Sequence, residues 1–251
     1  DRDDDMVMPG NRHASEPSFE VGFDHQGRIL GIEMDVAGRC GYSADLSAGV
    51  NDRAALTSDN TYYLENVAIH SYRCKTNTVS ATAFRGFGGP QGALGIEQVM
   101  DEIALHLGKD PLEVRKANLY GTHERNVTHY GQVLKDNVIG ELIATLEDSA
   151  DYAARRRQVR AFNAASRHLK KGIALTPLKY GVSFTSPHLN QAGALLHVYT
   201  DGSVMLNHGG TEMGQGLFTK VAQVVSQELG IGFDRIRISA SDTSKVPNTS
   251  A

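Results

Sequence analysis

The sequence contains no tryptophan, and its 251 residues include only two cysteines, Cys40 and Cys74. They form neither a CxxC pair nor a metal-binding spacing, which excludes a disulfide framework and favours the reducing cytoplasm. No apolar run approaches the ~20 residues needed to span a bilayer, and the first residues lack the basic and apolar regions of a signal peptide. We therefore predict a cytoplasmic protein without a membrane partner.

The chain also lacks an excess of basic charge, since 29 acidic residues face 25 basic ones and the net charge is −4. A protein whose main partner is nucleic acid needs a basic surface, so nucleic acid is not expected as a partner. Hydrophobic residues make up 40% of the chain and charged residues 22%, as in ordinary globular domains. The length allows one large domain or two small ones.

Neither end of the chain carries a terminal signal. The sequence begins with DRDDDM, without an initiator methionine, and ends with SKVPNTSA, without a helix or cap pattern. We therefore expect an internal fragment of a longer polypeptide. A change in character near residue 170 predicts a boundary between a first domain over 1–167 and a second over 168–251.

Hydrophobic periodicity and turn signals predict an α+β fold, with mixed strands and helices and no regular βαβ alternation. Hairpins are predicted over residues 18–37 and 193–208, the second with a turn at Asp201-Gly202. The other predicted strands lie over 66–75, 171–185 and 236–239. The predicted helices are one opened by residues 84–92 and closed by Gly108, one from Pro111 to about Leu119, two over 138–166, and one ended by Gly230. Residues 38–64 are predicted to be irregular with some helix, and residues 121–136 to be a polar loop.

Glycine is abundant, with 26 residues, and eight of these lie in two loops that each lead into a predicted helix. The first glycine loop is FRGFGGPQG at 84–92, and the second is GGTEMGQG at 209–216. Backbone N–H groups at a helix N-terminus attract anions, and Gln91 and Gln215 offer amide groups that can pair with a heterocycle. The pattern predicts a pocket for a phosphorylated heterocyclic ligand. The alternative is two tight turns without a ligand.

The acidic residues give weaker evidence for a functional site than the two glycine loops do. Glu97, Asp101 and Glu102 share one predicted helix and are interpreted as its solvated face rather than as acid–base groups. Glu212 lies inside the second glycine loop and is the best-placed acid in the chain. Neither loop ends in the GK[ST] of a P-loop, and the helix after the first loop is followed by another helix cap at Asp110-Pro111 instead of the strand that a dinucleotide fold needs.

Four longer segments resemble the molybdenum hydroxylase family, in particular the molybdopterin-binding subunit of its xanthine dehydrogenases. They are TAFRGFGGPQG at 82–92, KYGVSFTSPHLNQAGALLHVYTDGSV at 179–204, HGGTEMGQGL at 208–217 and VPNTS at 246–250. The resemblance implies a molybdenum–molybdopterin cofactor and the oxidative hydroxylation of hypoxanthine and xanthine to urate by a molybdenum-bound hydroxide. It also implies iron–sulfur clusters and FAD on other segments or subunits, and an oligomeric enzyme.

The same resemblance implies roles for single residues. Arg53 would bind the purine substrate and stabilise the negative charge that develops on it, which makes it the implied catalytic residue. Phe87 and Phe184 would form the two aromatic walls of the substrate slot, and Thr185 would donate a hydrogen bond to the substrate. The implied cofactor contacts are Arg85, Gly86, Met213, Gly214 and Gln215. No side chain is implied to ligate the metal, because the pterin dithiolene holds the molybdenum beside the Arg85 backbone.

The resemblance leaves alternatives open. Arg53 favours a purine, since related aldehyde oxidases usually carry another residue at that position. Asp52 stands where better-known members have glutamate, and Ser186 and His188 stand where animal members are apolar. The alternatives are a molybdenum hydroxylase for aldehydes or other N-heterocycles, and a non-catalytic truncated remnant. The family's general-base glutamate would lie beyond residue 251, so the chain by itself is predicted to be inactive.

Overall fold

The computed structural model describes residues 1–181 and 183–246. Packing divides the chain into two compact units, Asp1–Tyr180 and Gly181–Ala251. The division falls after Tyr180 because Ile173 and Leu175 pack into the core of the first unit. The domain boundary predicted after residue 167 stays a prediction.

The first unit is built on a three-stranded sheet. A short helix, α1 (Arg2–Val7), precedes the predicted hairpin, whose strands are β1 (Ser15–Phe23) and β2 (Ile29–Gly41). The third strand, β3 (Val67–Lys75), pairs with β2 in parallel, so β2 lies in the centre. The hairpin and the strand at 66–75 are therefore confirmed.

The described part of the first unit contains six helices, of which α1 precedes the strands. The other five helices are α2 (Ser47–Leu56), α3 (Gly89–Leu107), α4 (Pro111–Asn118), α5 (Ile139–Ser149) and α6 (Tyr152–Ala165). Gly108 ends α3 in the left-handed conformation, and the Asp110 carboxylate accepts the Leu112 N–H at the start of α4, as predicted. α2 lies within residues 38–64, which were predicted to be irregular with some helix, and it joins the two parallel strands.

The strand predicted over 171–185 is wrong for the residues that the structure describes there, which exclude Val182. Residues 173–180, named here the strap, run along the first unit without a strand partner. Nearby backbone N–H groups bond to side chains instead: that of Lys171 donates to Asn163 Oδ1, and that of Lys179 donates to Asn60 Oδ1.

The second unit contains the other predicted hairpin, β4 (Ala194–Val198) and β5 (Val204–His208), with Gly202 at a positive φ of 79° in its turn. Helix α7 (Leu217–Leu229) follows, and β6 (Ile236–Ile238) pairs with β5 in parallel. The hairpin, the helix and the final strand are confirmed.

Each unit has its own apolar core. In the first unit, α3 packs Ile96, Val99 and Ile103 against the sheet residues Met34 and Val36. In the second unit, the core is formed by Val204, Leu206, Ala222, Val225 and Ile236. No helix in residues 1–181 and 183–246 combines the length and the apolar character that a membrane crossing requires.

Candidate functional site

Arg53 lies near the end of α2, on a helix face that buries polar groups. Its side chain is 8% exposed, and Ser47 and Asn51 are buried on the same helix. The guanidinium carbon lies 5.5 Å from the centroid of the Tyr180 ring, within the range of a cation–π interaction. The structure therefore places a buried guanidinium group beside the Tyr180 ring.

The glycines of the first loop allow α3 to approach α2 closely. A Cβ at Gly88 would lie 2.0 Å from the Val50 carbonyl oxygen, and one at Gly92 would lie 2.2 Å from the Ala54 carbonyl oxygen. A Cβ at Gly89 would lie 2.5 Å from Cε2 of Tyr180. Packing within the protein therefore accounts for these glycines without a ligand.

Two carbonyl groups of the first loop are held by side chains from elsewhere in the unit. The Arg85 carbonyl accepts a hydrogen bond from Arg12 Nη2 at 2.6 Å, and the Gly86 carbonyl accepts one from the Tyr180 hydroxyl at 2.8 Å. Phe87 has a positive φ of 47°, which is unusual for an aromatic residue. Gln91 donates to the His13 carbonyl at 3.1 Å, so its amide nitrogen ties the loop to the protein.

In the second loop, the Glu212 carboxylate sits at the N-terminus of α7. It accepts the backbone N–H groups of Gly214 at 2.7 Å, Gly216 at 3.0 Å and Phe218 at 3.3 Å. The N–H of Gly216, followed by those of Phe218 and Gly214, lowers the pKa of Glu212 against a smaller opposing effect of desolvation. The amides of this loop thus converge on a negatively charged oxygen group.

Gln215 and His208 brace the same loop. The Gln215 side chain accepts the Met213 N–H at 2.6 Å and donates to the Thr211 carbonyl at 2.8 Å. His208, buried at the end of β5, accepts the Gly210 N–H on Nδ1, and its ring meets Phe218 edge-on at 4.8 Å. Its Nε2 has no hydrogen-bond partner among the described residues.

The aromatic wall predicted at Phe184 lies in the loop before the second hairpin. The Phe184 N–H donates to Asn190 Oδ1 at 2.7 Å, and Asn190 donates back to the Phe184 carbonyl at 3.0 Å. Phe184 and Thr185 are both half-buried. They belong to the second unit with Met213, Gly214 and Gln215, whereas Arg53 and residues 85–87 belong to the first.

The residues of the second loop leave space for a cofactor group. A Cβ at Gly216 would meet nothing within 4 Å, so the backbone there is open to close approach by a cofactor. The N–H groups of Gly214 and Gly216 already donate to the Glu212 carboxylate of the same loop. Across the described residues, no group of three or more His, Cys, Asp or Glu side chains is arranged to hold a metal ion. Residues 247–250 of the VPNTS segment lie outside the described residues.

A buried polar network in the first unit was missed at the sequence level. Glu97 accepts hydrogen bonds from Arg115 Nε at 2.7 Å, the Tyr62 hydroxyl at 2.6 Å and Asn60 Nδ2 at 2.8 Å. The interpretation of Glu97 as part of a solvated face is therefore wrong, because Arg115 on α4 is buried and needs a counter-charge. Asp101, which is exposed, supplies a second contact to Arg115 at 2.8 Å.

A second buried group adjoins this network. Asp59 is fully buried, accepts the Tyr120 hydroxyl at 2.6 Å and pairs with Lys179 Nζ of the strap. Burial, followed by the nearby carboxylate, raises the pKa of Tyr120, and the same causes raise the pKa of Tyr62. Asp59 and Lys179 are 120 positions apart, so no local pattern could have linked them.

Two family models, each described as a molybdopterin cofactor-binding domain, match residues 1–119 and 145–251. Among curated relatives, a xanthine dehydrogenase/oxidase of Gallus gallus is 50% identical over 250 residues. A xanthine dehydrogenase of Arabidopsis thaliana and a nicotinate hydroxylase of Emericella nidulans are each 45% identical. The matches span 99–100% of this chain but 18% of the length of these relatives.

Solved structures show the same fold. An aldehyde oxidoreductase from Desulfovibrio desulfuricans matches with a TM-score of 0.73 and 26% identity, over 96% of this chain and 26% of its own. A quinoline 2-oxidoreductase from Pseudomonas putida matches with a TM-score of 0.75 and 22% identity, over 100% of this chain and 33% of its own. Both comparisons confirm the α+β architecture of mixed helices and small sheets.

Proposed function

Because this chain belongs to the molybdopterin cofactor-binding domains, we propose that it forms part of the molybdenum-binding subunit of a xanthine dehydrogenase. The proposed reaction is the oxidative hydroxylation of hypoxanthine and xanthine to urate. The observation that carries the proposal is the identity of 50% to a xanthine dehydrogenase/oxidase over the whole chain. The buried Arg53 supports a purine as substrate.

The molybdenum cofactor, when bound, would supply the oxidant for each hydroxylation; water would supply the oxygen, and the two electrons released per hydroxylation would pass to iron–sulfur clusters and FAD on other segments or subunits. Met213, Gly214 and Gln215 would bind the pterin part, as their match to the family motif implies, and the open space beside Gly216 allows close approach to this loop. Arg85 and Gly86 would contact the cofactor from the first loop, whose carbonyl groups are fixed by Arg12 and Tyr180.

Arg53 would bind an oxygen of the purine. A guanidinium stays protonated at every relevant pH, and a fixed positive charge counts most where negative charge develops on the substrate. Phe87 and Phe184 would stack on the two faces of the purine ring, and Thr185 would donate a hydrogen bond to it. These roles follow from the match of residues to the family.

The test is a substrate panel on the full-length protein, with hypoxanthine, xanthine, an aromatic aldehyde and nicotinate. We expect Arg53→Met to lower kcat/KM for the purines by about 10²–10³-fold, because it removes one charge-stabilising donor. Turnover of the aldehyde should stay within about threefold, since an aromatic aldehyde lacks the exocyclic carbonyl oxygen of the purine that Arg53 would bind. Arg157→Met, an exposed change on α6, is the matched control.

Three outcomes would favour other functions. A preference for nicotinate over purines would favour the activity of the fungal relative, and a preference for the aldehyde would favour an aldehyde-oxidising enzyme. Full-length native protein without molybdenum would favour the non-catalytic remnant. We also propose that the protein is cytoplasmic and oligomeric. Its two domains are proposed to extend over 1–167 and 168–251.

A further inference from the structure

We propose that Tyr180 is a positioning residue that orients Arg53 and holds the Gly86 carbonyl in a fixed place beside it. The proposal rests on the proposed function, in which Arg53 contacts the substrate. It assigns a task to the last residue of the strap, which lies in the segment at 179–204 but to which the sequence analysis gave no role.

Tyr180 contacts two predicted site residues of the first unit, Arg53 and Gly86, and also Gly89 of the first glycine loop. Its ring faces the Arg53 guanidinium at 5.5 Å, and its hydroxyl donates to the Gly86 carbonyl at 2.8 Å. The ring also fills the space beside Gly89, where a Cβ would lie 2.5 Å from Cε2. One side chain therefore touches both α2 and the first glycine loop.

The position of Tyr180 is itself fixed by its neighbours in the strap. Asn60 accepts the Lys179 N–H at 3.0 Å and donates to the Pro177 carbonyl at 2.9 Å. Lys179 Nζ pairs with the buried Asp59. Asp59 and Asn60 lie in the turn that follows α2, so the strap is anchored to the same segment that carries Arg53.

A ring against the guanidinium restricts the arginine without consuming its donors. The five N–H groups of arginine lie in the plane of the guanidinium, whereas a cation–π contact, here 5.5 Å from the guanidinium carbon to the ring centroid, needs none of them as a hydrogen-bond donor. A long side chain that would otherwise sample several rotamers is thereby held in one direction. The hydrogen bond from the Tyr180 hydroxyl to the Gly86 carbonyl fixes the backbone of the first glycine loop relative to the Arg53 side chain.

The ring is tested by a double-mutant cycle in the full-length protein. We expect Tyr180→Leu to lower purine kcat/KM by about fivefold, the effect of losing one partly exposed cation–π contact, and to change aldehyde turnover no more than Tyr180→Phe does, because both variants lose the hydroxyl. Tyr180→Phe should restore purine kcat/KM to within about twofold, because the ring is kept. In an Arg53→Met background, Tyr180→Leu should add no further loss, since both changes remove one interaction. Tyr42→Leu, an exposed tyrosine of the same unit, is the control.

The hydroxyl is tested by hydrogen exchange, which needs no activity. A peptide covering residues 85–89 should exchange faster in Tyr180→Phe and Tyr180→Leu than in wild type, because the Gly86 carbonyl loses a donor in both. Additive losses in the cycle together with unchanged exchange would overturn the proposal. If the wild-type protein turns over no purine, the proposed function fails, and the exchange result alone then decides whether Tyr180 holds the loop. If Tyr180→Leu does not fold, the Tyr180→Phe exchange still decides.

Discussion

Gly88 marks the closest approach of two helices in the first unit. The residue has a φ of +96°, and a Cβ there would lie 2.0 Å from the Val50 carbonyl oxygen and 2.9 Å from the Ala54 nitrogen. Backbone atoms cannot move aside as the end of a flexible side chain can. The glycine is thus required by space as well as by backbone conformation.

Gly88→Ala is expected to lower the free energy of unfolding by about 3 kcal/mol, from strain at positive φ together with overpacking. Gly108→Ala provides the matched control, since Gly108 also has a positive φ, 65°, but a Cβ there would meet nothing within 4 Å. Its cost should be about 1 kcal/mol, from backbone strain alone. Urea denaturation of the two variants measures the difference, and equal losses would show that the contact with α2 is unimportant.

The Glu212 carboxylate accepts hydrogen bonds from backbone N–H groups of the second glycine loop. Glu212→Ala should speed amide exchange at Gly214 and Gly216, because both lose their acceptor. Glu228→Ala, an exposed change near the other end of α7, should leave both rates unchanged.

The same carboxylate gives the loop a pH dependence. Its pKa is lowered in the folded state, so its stabilising effect is complete above the ordinary glutamate pKa of about 4.3 and is lost as the pH falls through the lower folded value. Glu212→Gln keeps an acceptor but cannot titrate. The difference between wild type and Glu212→Gln in thermal stability should therefore shrink below pH 4, and a constant difference down to pH 2 would contradict the assignment.

At the scale of elements, one ion pair joins α3 to α4. Removing Glu97 would leave Arg115, which is 2% exposed, without its nearest counter-charge. We expect Glu97→Ala to destabilise the protein by about 3–5 kcal/mol. Glu102→Ala on the exposed side of α3 should cost less than about 0.5 kcal/mol. Chemical denaturation compares them, and similar losses would mean that exposed Asp101 neutralises Arg115 by itself.

Most elements could be predicted because their signals are local. The spacing of apolar residues and Gly108 define α3, and Asp110 followed by Pro111 defines the start of α4. Some helix was predicted over 38–64, but the bounds of α2 could not be, because its buried face carries Ser47, Asn51 and Arg53 beside Val50 and Ala54 and its apolar periodicity is weak. The strap was predicted to be a strand because an extended pattern does not reveal whether its partner is another backbone or distant side chains such as Asn60.

The candidate site, like the fold, could be predicted only in part. The glycine loops stand out in the sequence, but their tasks depend on contacts that it does not display. The first loop uses Gly88 and Gly92 to approach α2, and only the folded structure brings the Val50 and Ala54 carbonyl groups there. Tyr180 could not be singled out, because it lies 94 positions from Gly86 along the chain.

At the scale of the whole molecule, both units use one topology. In each, an antiparallel hairpin is followed by a helix and a third strand that pairs in parallel with the second strand of the hairpin. The chain spans 18% of the length of the xanthine dehydrogenase relatives named above. We therefore expect the proposed activity to require segments beyond the matched 18%.

We expect the 251-residue chain alone to show no xanthine turnover, because a reaction without its positioned general base loses about 10²–10⁴-fold. The full-length protein, assayed beside it at equal molar concentration, should be active. Detectable urate formation by the chain alone would show that the residues described here suffice for catalysis.

The strand β4 bears on how this chain behaves once it is purified. All five of its residues are exposed, and the strand order places it at an edge of its sheet. Leu195, Leu196 and Val198 lie along that edge. An exposed apolar edge is a template for pairing with the same edge of another molecule. Concentrated solutions of the chain should therefore aggregate through β4, and a lysine at position 196 would be the simplest way to obtain samples fit for spectroscopy.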